Sequence, residues 1–478
     1  MRTRMVLLLS AALVACMLTG AGTVSAQPTP RAPGEEFWIA RYNGALNGFD
    51  SARDVAVGAN GARVFVTGSA EGTSGAYGKR ADYATVAYDS VSGAQAWATL
   101  FNGTGNGNDF ANAVVASPDS TRVFVTGASD DGKAFDYVTI AYDAGTGAQL
   151  WASTYQSLAD NDDQATALGV SSDGSKVLVT GFSRGSYGGF DFATVAYNAA
   201  TGTQLWVSRY NGPAMSGDFA RALAVSTDGT KVFVTGDSVG SGTAHQDYAT
   251  VAYGTTAGTQ LWVARYSSPG YSLDYPSAIA VSPTGDKVFV TGNGKGKKSF
   301  DYLTLGYNAG TGARVWARRF NGAGTGFDSA RAVIVTPDGT KVLVTGYTWE
   351  GGTGAASRND YTSIAYAAGT GGTLWNSRYN SPGNRDDYAS DLVMSPDGSK
   401  AYVTGHTTGF DDDYLAVVYA VANGATLWAT RYDGPPSGTD SATAIAVRPD
   451  DSTIYVTGES WGGYSTGVDY ATIAYKTA

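Results

Sequence analysis

Two series of aspartates run through this 478-residue chain, one at Asp50, Asp109, Asp163, Asp218, Asp274, Asp328, Asp387 and Asp440, the other at Asp82, Asp136, Asp191, Asp247, Asp301, Asp360, Asp413 and Asp469. Paired carboxylates suit general acid–base chemistry, but a catalytic pair is needed once and these recur eight times. Such recurrence is expected of carboxylates that accept backbone N–H groups and fix loop ends. Arg41, Arg209, Arg265, Arg319, Arg378 and Arg431 recur in the same way and read as partners for them. Other chemistries lack their parts. His245 and His406 are the only histidines, Cys16 is the only cysteine, and no Gly-x-Ser-x-Gly elbow sits between a strand and a helix. These gaps argue against nucleophilic hydrolysis and transition-metal chemistry. The runs Asp160–Asp163 and Asp411–Asp413 offer oxygen ligands to Ca²⁺ without completing a calcium-loop pattern, so no cofactor is required and Ca²⁺ stays open.

Function is expected where the repeating units differ. Directly after each Val-Thr-Gly stand Ser69, Ala128, Phe182, Asp237, Asn293, Tyr347, His406 and Glu459. These dissimilar side chains at one position either line an asymmetric pocket or are exposed loop residues that have drifted. Trp349 and Trp461 fall outside the rhythm of the other eight tryptophans and hold equivalent loop positions. Their rings suit stacking on a sugar or anchoring a peptide; local packing of a long loop is the alternative. Arg53, Arg221 and Arg331 share one first-strand position beside the expected central channel. There they hold an anion at its mouth or offset the surrounding carboxylates, the second being the simpler.

A repeat must position these residues. Val-Thr-Gly recurs with its Gly at 68, 127, 181, 236, 292, 346, 405 and 458, and a tryptophan keeps step at 38, 97, 151, 206, 262, 316, 375 and 428. The period of about 56 residues is that of one four-stranded propeller blade. Asp218 to Ser226 reads as a first strand, Thr227-Asp228-Gly229-Thr230 as a tight turn, and Lys231 to Gly236 as a second strand. Asp247–Tyr253 and Gln260–Tyr266 complete the meander. The chain opens on a lone outer strand, Phe37–Tyr42, and its last unit, Asp440 to Tyr475, lacks a fourth strand. The expected fold is therefore an all-β, eight-bladed propeller closed by the N-terminal strand. Turns between first and second strands and between third and fourth are short and uniform, whereas the loops on the opposite face vary, which marks the latter as the functional face.

The strand Asp247-Tyr248-Ala249-Thr250-Val251-Ala252-Tyr253, with the Leu-Trp and Val-Phe-Val-Thr-Gly strands, resembles the bacterial β-propeller repeat family known as SBBP, from about residue 37 to 475. Ala141-Tyr142-Asp143-Ala144-Gly145-Thr146-Gly147-Ala148-Gln149-Leu150-Trp151 is similar to the tryptophan-docking motif of quinoprotein dehydrogenases, whose PQQ-like propellers have eight blades. That second resemblance implies a quinone cofactor held over calcium with an aspartate base. The mature chain departs from it in having no adjacent cysteine pair and no long insertion to roof a cofactor, and Gly254 and Ala420 replace the motif's Asp. Propellers host many unrelated activities, so both resemblances speak mainly to fold.

Residues 1–26 read as a signal peptide, with Arg2 and Arg4, an apolar run from Met5 to Leu18, and Val24-Ser25-Ala26 for cleavage after Ala26. Leu13-Val14-Ala15-Cys16 also resembles a lipobox, which would acylate Cys16 and tether the protein; both readings stay open. Residues 27–36 are then a flexible segment and 37–478 a single propeller domain. Cleavage after Ala26 leaves no cysteine, so closure rests on strand pairing and packing. Loss of Arg2 and Arg4 leaves 30 basic residues against 42 acidic ones, about −12 in net charge, which repels nucleic acid. No other apolar run approaches the roughly 20 residues of a membrane span. The expectation is a secreted, monomeric binding or scaffold module for a glycan, peptide or protein, with a quinoprotein-like dehydrogenase or other propeller enzyme as the alternative.

Overall fold

The computed structural model describes residues 31–75, 78–157, 161–185, 189–240, 245–269, 273–351, 358–409 and 411–478. Among them 32 strands form eight four-stranded antiparallel sheets, with no helix. Blade four shows the unit, Asp218–Val225, Lys231–Val239, Gln246–Gly254 and Gln260–Tyr266, paired in sequence order. Val232 to Ser238 and Asp247 to Tyr253 are buried without interruption, because neighbouring blades cover both faces of each sheet. Such strands read as continuous apolar or small-residue runs rather than alternating ones. The uniform turns are rigidified locally. In blade four, Asp228 accepts from Ser226 Oγ and from the backbone and hydroxyl of Thr230, contacts that hold its carboxyl down at about 2.

Two side chains per unit register each blade on the next. The repeat tryptophan donates its ring N–H to a main-chain carbonyl of the following blade in seven units, as Trp97 does to Ala144 at 3.1 Å. The ring lies on the tight turn between that blade's third and fourth strands. At Gly147 φ is +73°, and an added Cβ would sit 2.6 Å from the Trp97 ring, so glycine is required twice over. Deeper in the blade, the tyrosine after the third-strand aspartate reaches the next blade's third strand, as Tyr137 OH does to Ala193 O at 3.2 Å. Tyr83, Tyr248, Tyr302, Tyr361, Tyr414 and Tyr470 do the same, and Phe192 replaces the tyrosine in blade three.

Closure follows the sequence reading. The strand Glu36–Tyr42 pairs antiparallel with Val468–Lys476, the third strand of blade eight, through Trp38↔Ala474 to Tyr42↔Tyr470. Order begins before that strand: Gly34 donates to Lys476 O at 2.8 Å and Lys476 to Glu35 O at 3.1 Å. The two chain ends thus rebuild the turn between third and fourth strands. Gly34, at φ +82°, lies under Trp428 as Gly147 lies under Trp97. Residues 33–35, expected in a flexible segment, are therefore part of the ring.

Candidate functional site

The aspartate series is built into the scaffold of the variable-loop face. In all eight units the first-strand carboxylate accepts the backbone N–H six residues earlier, from Gly44 to Asp50 through Gly434 to Asp440, at 2.5 to 2.8 Å. Burial pushes Asp50 and Asp328 up to about 6 despite these bonds. The third-strand series meets the recurrent arginines, with Asp191–Arg209 at 2.9 Å, Asp301–Arg319 at 3.0 Å and Asp469–Arg41 at 3.2 Å. Arg265, Arg378 and Arg431 pair likewise with Asp247, Asp360 and Asp413. Ser183, Ser238 and Ser460 sit in Gly-x-Ser-x-Gly stretches, yet each is fully buried in a second strand and bonded to Arg209, Arg265 or Arg41. None is an exposed nucleophile.

Every first strand carries a β-bulge, and the residue skipped in its register is 53, 112, 166, 221, 277, 331, 390 or 443. A bulge re-aims a side chain, which explains why this position stood out. Three of the five small polar residues there bridge blades: Asn112, Thr166 and Thr443 donate to Ala165 O, Ala220 O and Ala52 O. The three arginines are exposed instead. Arg221 Nε lies 2.7 Å from Asp237, and Arg331 donates to Tyr347 OH at 3.1 Å with its guanidinium 5.3 Å from that ring. Arg53 makes no ion pair with a described residue. The reading as counter-charges thus fits Arg221. One residue beyond the bulge, blades one and seven carry Asp54 and Asp391 where the other six have alanine. Their carboxylates accept Val114 N–H and Ile445 N–H from the following blades, at 2.8 and 3.0 Å.

The residues after Val-Thr-Gly divide in two. Ser69, Ala128, Asp237 and Asn293 are buried, so Asp237 serves Arg221 rather than an open pocket; Phe182, Tyr347, His406 and Glu459 are partly exposed. What the expectation missed is their company. Tyr275, Phe300, Phe327, Tyr347, Tyr388 and His406 form one continuous arc across blades five to seven, with successive ring centroids 5.9, 5.1, 6.3, 4.9 and 5.2 Å apart. Phe182, Phe190 and Phe219 make a second cluster. The signal was present as aromatics flanking the repeated aspartates, in Phe190-Asp191, Asp274-Tyr275, Phe300-Asp301, Phe327-Asp328 and Asp387-Tyr388. Arg331, Tyr347, Tyr388, Ser390, His406 and Thr443 line a cavity of about 380 Å³. Burial pulls the His406 imidazole below its ordinary value, and its Nδ1 lies 3.2 Å from Ser441 Oγ. No described carboxylate bonds to the other ring nitrogen, so this pair lacks the orienting acid of a hydrolytic triad.

Trp349 and Trp461 end the second strands of blades six and eight rather than lying in loops. Both are half-buried on glycines: a Cβ at Gly326 would be 2.3 Å from the Trp349 ring, and one at Gly438 2.3 Å from Trp461. Trp461 also borders a cavity of about 520 Å³ with Phe49, Glu459 and Tyr464. Asp413, Asp433 and Asp440 are the carboxylates close enough together, among the described residues, to share a metal ion. Asp413 alone belongs to the predicted Asp411–Asp413 run, and Arg431 already faces it. Asp160 lies outside the described residues. The cavity beside Tyr388 has no carboxylate in its lining, so it offers no aspartate base for a quinone held over calcium.

Residues 134–325 match the family model of the outer membrane protein assembly factor BamB, a PQQ-like repeat. The chain resembles the PQQ-like propellers. That match spans less than half its length, and no curated protein matches it. BamB from Moraxella catarrhalis is similar in structure at 15% identity and a TM-score of 0.52, over 92% of this chain and 99% of that one. Sqt1 from Chaetomium thermophilum, bound to the N-terminus of ribosomal protein L10, is similar at 12% identity and a TM-score of 0.61, over 92% and 100%. Quinohemoprotein alcohol dehydrogenase from Comamonas testosteroni gives 14% and 0.52, over 91% and 76%. At these identities the likeness is one of fold. Among the described residues no helix is long and apolar enough to cross a membrane.

Proposed function

We propose that this propeller is a binding module that seats an extended peptide or protein segment across its variable-loop face. The aromatic arc from Tyr275 to His406 carries this reading. It offers rigid, amphipathic area at low conformational cost, with Arg331, Ser390 and Thr443 for polar contacts, which is the make-up of a hot spot rather than of a catalytic centre. The Sqt1 propeller bound to the N-terminus of a ribosomal protein, and an assembly factor of similar fold, support a protein partner over a glycan. Within the PQQ-like group, the Asp-Tyr-Ala-Thr-Val-Ala-Tyr strand supports an SBBP-type repeat.

The test is a peptide array and an oligosaccharide array probed with the full-length mature protein, followed by titration of the best binder. Tyr388→Ala and Trp349→Ala should each retain the folded ring. Tyr388 stands at the centre of the arc, so its loss should weaken a peptide by roughly 30-fold, the factor for about 2 kcal/mol. Unchanged affinity in Tyr388→Ala would remove the arc from the site, and hits confined to oligosaccharides would replace peptide by glycan. For Trp349→Ala, a lowered melting temperature with affinity retained identifies local packing instead of ligand contact.

We also propose export, with signal cleavage after Ala26; these residues lie outside those the structure describes. N-terminal sequencing of protein from culture fluid should begin at Gln27. Membrane-bound protein acylated at Cys16 would establish the tethered form instead.

A further inference from the structure

At the seam where the ring closes, four chain segments meet around the cavity of about 520 Å³. Phe49 comes from the loop after the closing strand, Glu459 and Trp461 from the second strand of blade eight, Tyr464 from the loop that follows it and Asp411 from blade seven. Phe49 is 51% exposed and Tyr464 entirely so, although large rings are usually covered. Local structure holds both in place. Phe49 forms a parallel bridge with Val468, and the Trp461 and Tyr464 rings stand perpendicular with centroids 5.8 Å apart. Trp461 is seated on Gly438, where a Cβ would come within 2.3 Å of its ring.

The charged side chains that line this cavity, Glu459 and Asp411, are both acidic. The seam's ion pairs run from Arg41 to Asp469 and from Arg431 to Asp413, leaving Glu459 and Asp411 without one among the described residues. Among the described residues Glu459 accepts from the Ser51 hydroxyl alone. The cation–π contacts of the described residues fall on Phe37, Phe190, Phe219, Tyr266, Phe300 and Tyr347, none of them in this cavity. Three aromatic rings with negative faces, two carboxylates and an excess of acidic residues over the whole chain favour a positive ligand.

We infer that this cavity is a site for an organic ammonium group, lined by Phe49, Trp461 and Tyr464 and neutralised by Glu459 and Asp411. The inference rests on the reading of this face as a binding surface, and it names the chemistry of one subsite. A lysine-type primary ammonium and a quaternary ammonium share that chemistry. The primary ion gives hydrogen bonds to Glu459, whereas the quaternary ion relies on the rings.

The experiment follows the Trp461 indole N–H resonance, assigned with Trp461→Phe, in the full-length mature protein. Titrants are n-butylammonium, tetramethylammonium and the neutral tert-butanol. Saturable binding of one or both ammonium ions is expected, at least 10-fold tighter than tert-butanol and weakened by added salt. Tyr464 is solvent-exposed, so Tyr464→Ala should keep the melting temperature; it and Glu459→Gln should each weaken the ammonium by roughly 10-fold. Preference for n-butylammonium identifies a lysine-like ligand, and preference for tetramethylammonium a methylated one. The site is overturned if Trp461 responds to neither ion, if tert-butanol binds equally well, or if both variants bind as the parent does. A peptide that still binds at Tyr388 while Trp461 stays silent removes the ammonium site alone. Ammonium binding with no peptide binding anywhere leaves the site and removes the peptide reading of the face.

Discussion

Deletion of residues 27–44 should leave a protein that aggregates, or unfolds at least roughly 10 °C lower, because the last blade then ends on an unpaired strand. That strand, Val468–Lys476, would expose its edge through Tyr470, Ile473 and Tyr475, with β-branched and aromatic residues and no proline. Long apolar edges of this kind pair with other chains. Packing is lost together with pairing. Trp38 is buried among Val64, Tyr88 and Tyr455 and donates to Ser90 O at 3.1 Å. Truncating a buried tryptophan alone costs about 3–5 kcal/mol. Arg41 also bonds Ser460 and pairs with Asp469, leaving two buried partners stranded. Gel filtration and thermal melts check the outcome, and a synthetic peptide of residues 31–44 added in trans should restore the monomer. A truncated protein that stays monomeric at the parent's melting temperature would show that the termini do not close the ring.

This closure was legible because it depends on counting. A repeat with one strand missing at its end and one surplus at its start has a single economical solution, and the observed register from Trp38↔Ala474 to Tyr42↔Tyr470 is that solution. The structural role of the aspartates was legible for the same reason: a side chain present in every blade serves the blade. The binding face was less so. Comparing one aligned position across units brought out Tyr347 and His406, but the arc also draws on the residues before and after the aspartates. Those positions adjoin only because adjacent blades pack side by side. Asp237 shows the converse, since divergence at an aligned position did not signal exposure; its partner Arg221 came from a bulge that no local pattern announces. Gly34 was missed because a turn built from two chain ends has no contiguous sequence.

The two faces divide labour in a way that bears on evolution of new binding. Uniform turns and the tryptophan clamps fix blade to blade at the end remote from the variable loops, and the tyrosine hydroxyls do so within the buried third strands. Substitutions at Tyr388 or His406 remove one interblade contact each, Asn359 to Tyr388 OH at 3.0 Å and Ser441 to His406 at 3.2 Å, but leave the tryptophan and tyrosine clamps in every blade, so the face can change ligands while the ring keeps its main fastenings.

The same buried carboxylates set an unusual pH dependence, for which the melting temperature should rise by several degrees on acidification from pH 8 to pH 5. Burial pushes Asp50 and Asp328 up to about 6 and Asp54 up to about 7. Neighbouring acids add to the rise: Asp469 and Glu71 at Asp50, Asp301 and Glu350 at Asp328, and Asp391 at Asp54. In the unfolded chain each titrates near 4. Between these values the native state binds more protons than the unfolded one, so stability falls as pH rises from about 4 to 7 and levels off above. A raised value of one unit corresponds to about 1.4 kcal/mol, and with about 2.1 cal/mol/K of unfolding entropy per residue each kcal/mol is about 1 °C in a ring of this size. Burial raises Asp360 and Asp413 to about 6 as well, even with Arg378 and Arg431 facing them, so they titrate in the same window and add to the slope. The turn aspartates act in the opposite direction. Asp119, Asp173, Asp228 and Asp397 are held at about 2, so their stabilisation is present above about pH 4 and is lost as pH falls toward 2. Maximum stability is therefore expected near pH 4 to 5, below the range usual for folded proteins. Asp54→Asn removes the titration with the highest midpoint while keeping an amide oxygen to accept from Val114, and should flatten the slope between pH 6 and 8. Melting temperatures that fall steadily from pH 8 to pH 5, or an Asp54→Asn profile parallel to the parent's, would show that these carboxylates are ionised in the folded ring.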